Sequence, residues 1–185
     1  MRHHAALCLI AVPALVATLL GCSEGSARHA NGTGTLNVNL TDAPIDLSTV
    51  QKVEVTITGV IVYPRENTMP DMAEGSPIEL MTHPETFDLL TLTDGATTLL
   101  ASGEVPVGSY NRIRLEVSDA TMTHSDGTTQ PLKIEAGKVD IPIKFEIGSD
   151  EMEQVTLDFD AGASVQVNET ASGQFILRPV VTPVP

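Results

Sequence analysis

Asp158 and Asp160 flank Phe159, and on an extended backbone residues two apart share a face, about 6–7 Å from one another by the strand rise. Two carboxylates at that spacing suit a hard cation such as Ca2+, or the paired acids of glycoside hydrolysis. Asp42 becomes a third Ca2+ ligand if the turn after its strand reaches the same sheet end. The structural alternative makes Asp158 and Asp160 a solvated face that caps the turn into Ala161-Gly162-Ala163, and it is the favoured one, because a lone Asp-x-Asp lacks the full oxygen set of a calcium site. A second constellation is Met81-Thr82-His83, repeated as Met122-Thr123-His124. Each tripeptide presents a thioether and an imidazole on one face, a pairing suited to Cu(I); the bland reading packs both methionines and leaves the histidines in solvent. Nucleophilic catalysis needs Ser or Cys beside a base. The folded part offers only His83 and His124, and there is no Gly-x-Ser-x-Gly, so an enzyme is not expected. No cofactor is expected either, Ca2+ being the one candidate.

The remaining reactive residue is Cys22. Arg2, His3 and His4 precede an apolar run from Ala5 to Leu20, and the run ends in Gly21. That order is the n-region, h-region and small-residue pattern of a secretory signal, too short for a stable transmembrane span. Leu19-Leu20-Gly21-Cys22 resembles the lipobox of bacterial lipoproteins. The resemblance implies cleavage after residue 21, diacylglycerol on the Cys22 sulfur and a membrane anchor of several acyl chains. Ser23 stands where an aspartate would resemble an inner-membrane retention signal, which implies the outer membrane as destination.

Removal of residues 1–21 from the 185 leaves 164, one domain by size and enough to bury a sizeable core. Loss of Arg2 leaves 9 of the 10 basic residues against 24 acidic ones, a charge near −15. That charge opposes binding to nucleic acid and to anionic headgroups. With Cys8 discarded and Cys22 acylated, no thiol remains for a disulfide, a metal or a nucleophile.

The elements that must position Asp42 and the later acids are strands. Residues 22–33 are the acylated cysteine and a small, polar tether whose Ser23 to Thr33 stretch has a root-mean-square reach of about 18 Å. From residue 34 to residue 185 the period is two, as expected of a single β-sandwich domain. Leu36, Val38 and Leu40 alternate with polar residues until Asp42-Ala43-Pro44 breaks the strand, where Asp42 can cap the turn. Val53, Val55 and Ile57 continue the pattern, then the apolar phase moves to Val60 and Val62, which predicts a bulge at Gly59. Pro64 to Pro77 reads as a surface loop. Asp126-Gly127 signals a hairpin. Val139, Ile141, Ile143, Phe145 and Ile147 face one way, and Pro142 on the opposite face predicts a sheet edge or a bulge. About nine strands and no helix of useful length point to an antiparallel β-sandwich, immunoglobulin-like or transthyretin-like.

Five ordered blocks carry a family resemblance: Gly34-Thr-Leu-Asn-Val-Asn-Leu-Thr-Asp-Ala-Pro44, Phe87-Asp-Leu-Leu-Thr-Leu-Thr-Asp-Gly95, Val107-Gly-Ser-Tyr-Asn-Arg-Ile-Arg-Leu115, Leu157-Asp-Phe-Asp-Ala161 with Ser164-Val165, and Ile176-Leu-Arg-Pro-Val180. Together they resemble the bacterial extracellular domain known as domain of unknown function 4382. The resemblance implies an exported β-sandwich, commonly on a lipoprotein, and brings no activity or binding residues with it. The expected function is an outer-membrane-anchored lipoprotein serving as a non-catalytic binding or structural module of the cell envelope, with a protein or envelope partner. The alternative is a periplasmic metal-binding lipoprotein using the Asp or Met/His sets.

Overall fold

Alternation decides which residues pair and which pack. The computed structural model describes residues 32–43, 49–65, 76–81, 83–168 and 174–184. Residues 1–31, with Cys22 and nearly all of the tether, lie outside that description, as does most of the Pro64 to Pro77 loop. The first strand, β1 (Thr33–Thr41), buries Leu36, Val38 and Leu40 completely, as its period-two pattern requires. It runs parallel to β10 (Met152–Phe159) on one side and antiparallel to β5 (Thr98–Pro106) on the other. A short edge strand, β13 (Val181–Pro183), completes this first sheet against β10.

The second sheet is built on β2 (Val50–Pro64) and β6 (Gly108–His124), paired antiparallel along most of their length. Its flanking strands are β3 (Ile78–Glu79) and β4 (Glu85–Asp88) on β2, and β7 (Thr129–Pro131) and β9 (Lys138–Ile147) on β6. A third, small sheet joins β11 (Val165–Asn168), β12 (Gln174–Leu177) and β8 (Lys133–Ile134). The inward faces of the two large sheets supply one core, with Leu36, Leu40, Ile57, Ile113, Leu115, Ile141, Leu157 and Phe159 among its fully buried members. The fold is all-β and sandwich-like.

Several local expectations meet their counterparts. The β2–β6 register shifts between Ile57 and Gly59, so the odd residue sits where the apolar phase changes. Pro142 lies on β9, which among the described residues pairs only with β6 and so forms an edge, and the register also shifts opposite it, between Tyr110 and Arg112. Asp126-Gly127 closes the β6–β7 hairpin, with Gly127 at φ +85°. Strand number and direction differ from expectation: thirteen strands occur among the described residues instead of nine, and two pairings, β1–β10 and β8–β12, are parallel. The extra strands are two- to four-residue pieces, too short to show a period. The apolar run Phe87 to Leu92 divides into the end of β4 and a 3-10 turn, Leu89–Leu92. One four-residue helix, α1 (Ala161–Ser164), follows β10.

Candidate functional site

The parallel register sets Thr41 beside Asp158, so β1 and β10 finish side by side and the residues just past them meet. Asp42 is buried there, 3% exposed. Its backbone N–H donates to the Leu92 carbonyl at 3.0 Å, and its Oδ1 accepts from the Ala161 N–H at 2.8 Å. The carboxylate therefore ties the end of β1 to the first residue of α1, 119 positions away. Thr41 strengthens the joint by donating its hydroxyl to the carbonyls of Leu92 and Ala96.

Asp160 takes the capping role expected of it: it is the N-cap of α1, and its Oδ1 accepts from the Ala163 N–H at 2.8 Å. Asp158 departs from the expected solvated face. Its Oδ1 is buried and has no hydrogen-bond partner among the described residues, and the same holds for Oδ2 of Asp42. Burying carboxylate oxygens without donors favours the protonated form. Burial is the main reason that the Asp42 pKa is raised from 3.8 to about 6; the Ala161 N–H opposes the shift, and the charges of Asp158 and Asp160 add to it. Asp158 is also raised, first by burial and then by the charge of Asp160. The Ala43 N–H faces both carboxyls and partly offsets the rise in each.

What such a group does best is hold a proton. Sequence spacing brought Asp42, Asp158 and Asp160 into one candidate set, and the structure does gather them at one sheet end. Asp160 Oδ1 is engaged by the Ala163 N–H. Among the described residues, no three His, Cys, Asp or Glu side chains are placed to hold a metal ion together. The Met/His pairs are divided by the core boundary. Met81 and Met122 are core residues, 4% and 1% exposed, while His83 is exposed and His124 packs edge-on against Phe175 at 5.9 Å.

One participant escaped sequence reasoning. Ser164 is fully buried, and its Oγ accepts from the Val180 N–H at 2.8 Å. Its N–H donates to the Asp160 carbonyl and its carbonyl accepts from Arg178. The Asp160 N–H in turn donates to the Val180 carbonyl at 3.0 Å. Its only sequence signal was its place in a quoted block, beside a second block that contains Val180. Asp42, Leu92, Asp158 to Ser164 and Val180 thus bring four of the five blocks to one joint. Their residue types are explained by closing the sheet end as well as by any ligand.

A model of the family described as "Domain of unknown function (DUF4382)" matches residues 33–179. No curated protein and no solved structure matches the chain.

Proposed function

The chain belongs to the family described as a domain of unknown function, DUF4382, and from that premise we propose a non-catalytic binding or structural module of the cell envelope, held to the outer membrane by lipid on Cys22. The observation that carries this reading is Leu19-Leu20-Gly21-Cys22 at the close of an apolar leader, 11 residues before β1 begins at Thr33. Several acyl chains anchor far more firmly than one, and the intervening Ser23 to Gly32 stretch is polar enough to hold the domain clear of the bilayer. The acidic surface and the scarcity of aromatic residues, 3% of the chain, favour a protein or envelope partner over nucleic acid or stacked sugar. Cells fed a labelled fatty acid should incorporate it into the wild-type chain and not into Cys22→Ala. Label retained in Cys22→Ala would overturn the anchor.

Calcium at the Asp42–Asp158 end is a second reading, favoured by the two orphaned carboxylate oxygens alone. Calcium takes roughly six to eight oxygen ligands, more than the carboxyls of Asp42, Asp158 and Asp160 supply by themselves. Millimolar Ca2+ at pH 7 is therefore expected to leave the melting midpoint within about 1 °C, by the linkage of ligand binding to stability. A rise of several degrees that vanishes in Asp158→Asn would establish calcium instead.

A further inference from the structure

On the outer face of the second sheet, β6 sets Arg112 between Tyr63 of β2 and Pro142 of β9, and Arg114 between Ile61 and Asp140. Val62, Ile113 and Ile141, which alternate with them, are in the core. The two arginines share one carboxylate. Arg114 takes both of its oxygens, donating from Nε to Asp140 Oδ1 and from Nη2 to Oδ2, each at 2.8 Å. Arg112 Nε stands 3.7 Å from Oδ1, beyond hydrogen-bond length. That Nε is buried and has no hydrogen-bond partner among the described residues, although the side chain as a whole is 38% exposed.

Tyr63 holds Arg112 in place. The Arg112 Cζ lies 3.8 Å from the centre of the Tyr63 ring, and the Arg114 Cζ lies 5.4 Å from the same ring. A ring face attracts a cation without neutralising it. Two positive charges therefore meet one negative charge here, on a chain of 24 acidic and 10 basic residues. The next row is balanced, with Lys138 Nζ 2.8 Å from Glu116 Oε1. Arg178 is satisfied too, donating to Glu135 at 2.7 Å and to Gln166 at 3.0 Å. The residue types narrow the choice of ligand. The chain has two tyrosines and no tryptophan; Tyr110 is in the core, so Tyr63 is the tyrosine that reaches the surface. Tyrosine and arginine are enriched among the residues that carry the binding energy of protein interfaces. Stacking also fixes the guanidinium before any partner arrives, which lowers the ordering cost of binding.

We propose that Tyr63, Arg112 and Pro142 form a docking point for a partner protein, at which Arg112 takes the carboxylate of an Asp or Glu side chain of that protein. The uncompensated charge selects an anion. A carboxylate leaves the face balanced, with Arg112 holding the incoming group as Arg114 holds Asp140. A phosphate dianion would place a second negative charge beside Asp140 and Glu116. A free carboxylate is a poor ligand, because a single exposed pair with a guanidinium contributes little by itself. The group has to arrive on a surface broad enough to cover Ile61, Tyr63 and Pro142, which dries the pair and strengthens it. This assignment rests on the binding-module reading above and specifies where the partner docks and which group it presents.

The test uses the acylated chain in its envelope with a photo-crosslinking side chain in place of Lys144, which is exposed two residues beyond Pro142 on β9. A second chain carries the crosslinker in place of Glu104, exposed on β5 of the other sheet. Irradiation is expected to join position 144 to a different protein at a peptide containing Asp or Glu. Arg112→Gln should lower the yield of that adduct on the order of tenfold. Arg112→Lys should lower it nearly as far, since lysine keeps the charge and loses both the fork and the stacking. Both variants should melt within about 2 °C of wild type, as surface substitutions do. Exchange of the captured Asp or Glu for Arg should abolish the adduct with wild type and restore it with Arg112→Glu. Adducts unchanged in Arg112→Gln, or an exchange that restores nothing, would overturn the docking point. Adducts of the chain with itself would assign the face to a second copy and overturn the partner. Adducts from position 104 and none from 144 would overturn the docking point and leave the binding module standing; none from either position would overturn both.

Discussion

Replacing Asp42 with asparagine is expected to make the domain more stable at pH 7 and to flatten its stability between pH 4 and pH 6. In the fold the Asp42 carboxyl titrates near 6, above its ordinary 3.8. Between those values the folded state holds a proton that the unfolded state has released, so stability falls as pH rises through that window and levels off above it. The difference of about two units is worth on the order of 3 kcal/mol. Asparagine cannot ionise, and its oxygen can still accept from the Ala161 N–H that Asp42 Oδ1 now satisfies at 2.8 Å. Its amide also brings a donor to the end of the sheet where Asp158 Oδ1 has none. Alanine should behave differently. It leaves the Ala161 N–H without its partner, at a cost of about 1–3 kcal/mol, so Asp42→Ala should lose at acid pH what Asp42→Asn keeps. Urea unfolding of the three proteins from pH 4 to pH 7.5 measures this directly. Parallel curves for wild type and Asp42→Asn would show that the carboxyl ionises without penalty and would remove the buried-proton account of the joint.

The joint also shows where sequence reading stops. Features carried by local pattern were legible: the burial of Leu36, Val38 and Leu40, the displaced register near Gly59, and the edge position of β9 marked by Pro142. Each depends on the two-residue period or on a missing N–H, and neither needs knowledge of a distant partner. Strand pairing does need it. Nothing in the alternation of β1 says that its neighbour is β10, more than a hundred residues on, or that the two run parallel. The spacing of Asp158 and Asp160 suggested that Asp42 belonged with them, yet their roles diverge because β10 ends between them and Asp160 turns into a helix cap. The Met/His pairs illustrate the same limit. Met122 and His124 do lie two apart on β6, but the face that holds Met122 is the core, and Met81 and His83 fall between β3 and β4.

The substitution Gly34→Ala, at the opposite end of β1, is expected to cost about 2–4 kcal/mol. No special dihedral is involved; the reason is proximity. A Cβ at position 34 would lie 2.5 Å from the Gly148 carbonyl oxygen, 2.7 Å from Ile147 Cγ2 and 2.8 Å from the Glu151 carbonyl oxygen. Two of those atoms are backbone of the β9–β10 turn, which cannot rotate away as a side chain can. The turn is also clamped to β1 on either side of Gly34, by Asp150 N–H to the Thr33 carbonyl at 2.9 Å and by Thr35 N–H to the Glu151 carbonyl at 2.8 Å. Making room means separating β1 from the turn. Overpacking of this kind costs about 1–3 kcal/mol, and weakening either clamp adds on the order of 1 kcal/mol. Gly103→Ala is the internal comparison. Its new Cβ meets only the tip of Leu80, Cδ2 at 3.0 Å, which a small rotamer change relieves, so it should cost less than about 1 kcal/mol. Denaturant midpoints of the two variants decide the matter. Equal losses would mean that β1 and the turn yield together, and Gly34 would then have no special place at the start of the first family block. A large loss at Gly34 alone would locate a rigid contact at the start of β1, held against the β9–β10 turn by the Asp150 and Glu151 clamps.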